Sequence, residues 1–146
     1  MATPPKSIQE NLEAWGTSSL APTGLATLIA PLHLRPIQPF PLVFVPVLLF
    51  SSYANLQGFK IDSAGFTAAA SGTYALLALR RKNNNNNLRF GGSSRFMGKY
   101  FSIRGIVRGS AVAVAAANTV AAGWVYATGD REKEKRLRRE NPRWVE

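Results

Sequence analysis

The stretch 105–128, GIVRGSAVAVAAANTVAAGWVYAT, decides the fold class. It has no proline, and from Gly109 to Thr128 it has no charge. At about 1.5 Å per residue, a helix of about 20 residues matches the roughly 30 Å hydrocarbon core of a bilayer. Gly105, Gly109, Ala113, Ala117 and Ala121 recur at four-residue steps. Such a small-residue face lets a second helix backbone approach closely, and close packing is the main force joining helices in lipid. An alanine-rich soluble helix would show the same spacing, so the flanks matter. Trp124 and Tyr126 lie near the end of the run, where amphipathic rings sit at a membrane–water interface. Asn118 falls inside the band and needs a hydrogen-bond partner, expected on a neighbouring helix because no acid lies within the band.

Two more apolar bands precede this one. Phe40 to Leu56 is the greasiest and has Pro46 in mid-run, which demotes it as a strand and predicts a kinked helix. Ala64 to Leu79 is shorter, but Arg80, Arg81 and Lys82 at its end can snorkel to head groups. Ala64, Ala68 and Gly72 give it a small-residue face of its own. The bands predict an all-α polytopic membrane protein with spans over about 40–56, 64–79 and 105–127. Residues 1–39 read as a polar, proline-rich arm and 129–146 as a charged helical tail. In the arm, Ser19 to Ala30 is too short to cross and is expected to form an interfacial or re-entrant helix; if residues 19–34 did span, only the arm would change sides. Pro31, Pro36, Pro39 and Pro41 predict an extended approach to the first span.

Charge is segregated with the same sharpness. The formal net charge is +10. Arg80, Arg81, Lys82, Arg89, Arg95, Lys99, Arg104 and Arg108 carry most of it, with no acid among residues 80–108. The basic loop 80–104 is thus expected to fix orientation and to meet lipid head groups, cardiolipin or another anionic phospholipid being the economical partner. In a mitochondrial inner membrane that side is the matrix. With three spans the arm would share the matrix side and the tail would face the intermembrane space. Asn83–Asn87 reads as a tolerated loop expansion. In the tail, Glu132 with Arg136 and Glu134 with Arg138 stand at i,i+4 and predict an exposed helix, either solvated or laid on a partner with Trp144 as anchor.

Chemistry is harder to find. There is no cysteine, which excludes disulfides and thiolate ligands, and the one histidine, His33, sits between leucines and reads as interfacial. Only Asp62 supplies a carboxylate between residues 14 and 129, so no metal site, cofactor site or acid–base pair is expected. Phe90, Phe96, Tyr100 and Phe101 among the basic residues could suggest nucleic acid, but the flanking bands put that loop at a membrane, and no nucleic acid is expected. The first 34 residues hold no arginine and lack an apolar run behind a basic start, so they read neither as a mitochondrial presequence nor as a secretory signal.

Two segments carry a resemblance. Gly65-Phe66-Thr67-Ala68, with Ser71, Tyr74 and Leu77, runs into Arg80-Arg81-Lys82; later Phe101-Ser102-Ile103-Arg104 opens a helix with Ala117-Asn118 that closes near Tyr126. This is similar to the fungal "altered inheritance of mitochondria" group of small inner-membrane proteins, and to the small fungal accessory subunit of respiratory complex I, NUXM. The resemblance covers roughly residues 40–128 and its motifs are loose. It implies a mitochondrial inner-membrane protein with no catalysis, packed beside the core membrane subunits of the complex. An assembly or membrane-organising factor is the alternative, and a small transporter a weaker one, since no charge lies within the bands.

Overall fold

The computed structural model describes residues 7–34, 37–86 and 103–141, which are all-helical apart from their turns. The elements are α1 (Ile8–Gly16), α2 (Leu20–Leu34), α3 (Pro39–Leu42), α4 (Phe44–Leu56), α5 (Lys60–Asn86), α6 (Ile103–Thr128) and α7 (Arg131–Glu140). Helices α2, α4, α5 and α6 pack as an up-and-down bundle. The most extensive contact is α5 on α6, then α4 on α5 and α2 on α4. α1 lies against α6, and α7 against the start of α5.

Local chemistry explains most boundaries. Ser7 and Glu10 form a capping box that starts α1: Ser7 Oγ accepts from the Glu10 N–H at 3.2 Å, and the Glu10 carboxylate accepts from the Ser7 N–H at 3.0 Å. Gly58, at φ +90°, makes the turn between α4 and α5, a backbone that L side chains rarely adopt. Asp130 caps α7 by accepting from the Glu132 and Lys133 N–H groups.

Four expectations need correction. Residues 19–34 do not form a short surface helix with an extended exit. α2 runs through Pro31 and places Leu25 and Ile29, both fully buried, at the centre of the bundle. Proline costs a helix one hydrogen bond, and packing of this apolar segment outweighs that loss. Pro39 and Pro41 lie within helical α3 behind an extended Gln38, and Pro36 lies outside the described residues. Pro46 does more than bend the first band. It has no N–H for the Leu42 carbonyl four residues back, and the band divides at Val43 into α3 and α4 although Val43 itself keeps helical dihedrals. The asparagine tract is not simply a loop. α5 continues past Leu79 through Arg80, Arg81, Lys82 and the asparagines up to Asn86. No proline or glycine in that run stops a helix.

The core is built from Leu25, Ala26 and Ile29 of α2, Leu48 of α4, Ala70 and Tyr74 of α5, and Ala111 and Ala115 of α6. A smaller cluster of Ala64, Ala122 and Val125 closes the bundle nearer α7. His33 is buried, its Nδ1 donating to the Ile29 carbonyl at 3.0 Å and its ring edge-on to Tyr74, so it is a bundle residue and not an exposed interfacial one.

Candidate functional site

Beside its apolar core the bundle buries many polar side chains, and it exposes many large apolar ones. Ser51, Ser52, Asn55, Ser63, Thr67, Ser71 and Asn118 are buried. Phe40, Phe50, Phe66, Leu76, Ile106 and Val120 each leave more than half their surface exposed. Pro39–Leu56 and Gly105–Thr128 are the two stretches long and apolar enough to cross a membrane. Only 22% of the first and 33% of the second is buried within the chain. The core helix of a soluble protein would be mostly covered.

The buried polar groups join helices. Ser51 Oγ donates to the Ser63 carbonyl at 2.7 Å, so Thr67 Oγ1, also at 2.7 Å, must donate to Ser51, since a hydroxyl has one proton. Asn55 donates to the Thr17 carbonyl at 2.9 Å and to Ser63 Oγ at 3.1 Å. Ser52 donates to the Ser19 carbonyl and accepts from Thr23 Oγ1. Asn118, fully buried, accepts from Trp15 Nε1 and donates to the Ala21 carbonyl, both at 2.8 Å. The partner expected for Asn118 on a neighbouring helix is thus present twice, on α1 and on α2. Interhelical bonds of this kind contribute about 0.6 kcal/mol each inside a membrane bundle.

The small-residue faces divide. On α5 the expected face packs inward: Ala64 is buried, Ala68 packs against the same cluster, and a Cβ on Gly72 would lie 3.3 Å from Thr119. Gly65, beside that face, lies so close to the Tyr126 ring that a Cβ would come within 2.7 Å of it. On α6 the expected face is not the one the chain uses. Ala121 is buried, but Gly109, Ala113 and Ala117 are exposed and Gly105 is half-buried. The inward face is Ala111, Ala115, Asn118, Ala122 and Val125. Ala113 lies two residues from Ala111, about 200° round the helix, so the two faces are nearly opposite. Alanine fills both, and spacing alone does not say which faces in.

Ala121 shows what that outer ridge can accept. Gly16, at the end of α1, sits on it so closely that a Cβ there would be 2.5 Å from the Ala121 carbonyl oxygen and 2.7 Å from Val125. Neither this contact nor the Ser51–Thr67 pair was anticipated from sequence. The one available signal was the number of serines, threonines and glycines inside otherwise apolar bands.

Of the basic residues, Arg80 and Arg108 are exposed. Arg81 and Lys82 extend α5, and Arg104 lies in the first turn of α6. Arg89, Arg95, Lys99 and Trp144 fall outside the described residues. The segment before α2 does not lie at the basic end. Thr17 and Ser19 bond to Asn55 and Ser52 near the α4–α5 turn, and that turn touches α7 through Gly58 and Arg138. The chain therefore enters α2 from the tail end of the bundle, opposite the basic segment. The three-span layout, which put arm and basic loop together, assumed that residues 19–34 do not traverse.

α7 docks on that tail end. Glu134 accepts from the Ile61 N–H at 2.9 Å and supplies a partner to the start of α5, while Arg138 lies 3.9 Å over the Phe59 ring. Glu134 and Arg138 are the expected i,i+4 pair, 3.9 Å apart. Compared with known protein families, curated proteins and solved structures, the chain matches none of them.

Proposed function

We propose that this chain is a non-catalytic accessory subunit of a membrane complex, held in the bilayer by the sides of the α2–α4–α5–α6 bundle. The outward apolar surface carries the reading. Many large apolar groups face outward, where water would penalise them by about 25 cal/mol per Å², while hydroxyl, amide and small residues share the interior with Leu25, Ile29 and Leu48. In lipid the outward groups cost nothing, and the inward ones supply close packing and interhelical hydrogen bonds. α3–α4 and α6 span by length and hydropathy. α5 spans with Arg80 and its neighbours at the head groups, and α2 crosses beside them as a fourth, shorter helix.

The resemblance to the complex I accessory subunit and the inner-membrane group supports a mitochondrial inner-membrane location and a place beside core membrane subunits. In that setting the basic segment 80–104 faces the matrix and meets cardiolipin or a similar lipid. Both α1 and α7 then lie on the intermembrane-space side. The outer ridge of Gly105, Gly109, Ala113 and Ala117 is the side offered to a neighbouring subunit.

Two measurements test this. After alkaline carbonate extraction the protein should stay with the membrane pellet; release into the supernatant would end the membrane reading. On blue-native gels it should migrate with a respiratory complex. Migration alone, with purification recovering no stoichiometric subunits, would favour an assembly factor. Selective flux in reconstituted liposomes would favour a transporter.

A further inference from the structure

Where α5 and α7 meet, a polar cleft of about 190 Å³ is lined by Asp62, Arg131, Glu134, Lys135 and Arg138. Its charges are only partly matched. Glu134 is engaged twice, by the Ile61 N–H and by Arg138. Arg138 Nε is buried and has no acceptor among the described residues. Arg131 sits 5.0 Å over the Tyr126 ring. That pair of described residues, Arg138 with Glu134, is the one ion pair among them, so Arg131, Lys135 and Asp62 face the cleft without a counter-ion.

The pattern selects an occupant. A phosphate alone would satisfy the cations of α7 but leave Asp62 opposed to it. A metal ion would suit Asp62 and meet three cations. A group with a phosphate diester and a nearby primary ammonium satisfies both sides. The surroundings say how such a group arrives. Phe59 and Tyr126, which the two arginines cover, are exposed, and Tyr53 and Phe66 continue the apolar surface along α4 and α5. Aromatic rings at the edge of an apolar belt mark head-group depth.

We propose that this cleft holds the headgroup of an aminophospholipid of the phosphatidylethanolamine type. The phosphate lies on Arg131 and Lys135, the ammonium on Asp62, and the acyl chains along the belt. This rests on the membrane reading above. It places a lipid site at the end of the bundle opposite the basic segment, with a different headgroup preference.

The test is native mass spectrometry of the full-length protein in mild detergent. Lipid retention is titrated with phosphatidylethanolamine, with phosphatidylglycerol (same diester, no amine), with glycerophosphoethanolamine and with inorganic phosphate. Phosphatidylethanolamine should be retained about threefold better than phosphatidylglycerol, the scale of one exposed charge pair. Asp62→Asn should erase that preference without weakening phosphatidylglycerol. Arg131→Gln and Lys135→Gln should weaken both lipids about threefold, with Lys135→Arg restoring them. Hydrogen exchange at the Ile61 amide reports whether α7 is still docked. Asp62 makes no hydrogen bond or ion pair with α7 among the described residues, so its variant tests the amine half while leaving the bonds that dock α7 in place. Equal retention of the two lipids by the unmodified protein, or a preference that survives Asp62→Asn, would overturn the proposal. So would competition by glycerophosphoethanolamine or phosphate as strong as by the lipid, which would make the ligand a soluble ester. Carbonate release tests the membrane reading separately, because a soluble protein could still bind glycerophosphoethanolamine through Asp62.

Discussion

The two sides of α6 have nearly the same composition and opposite fates. One side, Ala111, Ala115, Asn118, Ala122 and Val125, is buried against α1, α2 and α5. The other, Gly105, Gly109, Ala113 and Ala117, is largely bare, and a Cβ on Gly109 would meet nothing within 4 Å. What separates them is Asn118. A polar group inside an apolar helix must find partners, and Trp15 Nε1 and the Ala21 carbonyl supply them on one side only. Small residues permit close packing on any face; the polar residue decides which face is taken.

That contrast can be broken in order of effect on the isolated bundle. Gly16→Val should hurt most, by up to about 3 kcal/mol, because the new side chain meets the Ala121 backbone and Val125. Thermal unfolding in detergent would read it, with loss of α1 protection in hydrogen exchange. Asn118→Leu should cost about 1–2 kcal/mol by stranding the buried Ala21 carbonyl and releasing the half-exposed Trp15 indole, and Trp15 fluorescence should change with it. Ser71→Ala should run the other way. Its hydroxyl is buried with no partner among the described residues, so removing it is expected to raise the melting temperature slightly, by about 1 kcal/mol or less. Ala113→Leu should leave the isolated bundle within about 0.5 kcal/mol. In the membrane the same change should detach the chain from its complex on blue-native gels. If Ala113→Leu destabilises the free bundle as much as Asn118→Leu does, the two sides are not distinct and the outer ridge is not a surface for partners.

The helical bands, the Glu134–Arg138 pair of the tail and the need of Asn118 for a partner were all legible, because each follows from local composition. The role of α2 was not. Its length argued against a place in the bundle and Pro31 for an end at Ala30, and only the burial of Leu25 and Ile29 shows why Pro31 is tolerated within the helix. On α6 four-residue spacing marks a small-residue face without saying whether it packs inside the chain, and the single polar residue Asn118 breaks that tie. On α5 the row of Ala64, Ala68 and Gly72 packs inward, with the large and exposed Phe66 on the opposite side. Contacts between distant segments, Glu134 with Ile61 above all, leave no trace in local sequence.

The entry of the chain into α2 from the tail end bears on insertion. In the orientation proposed, the segments before α2 and after α6 stay on the intermembrane-space side, and only the turn near Gln38 and the basic segment must be carried across. Each positive charge moved toward a negative matrix gains about 2.3 kcal/mol per 100 mV. The electrical gradient would therefore pull hardest on the part of the chain with the farthest to go.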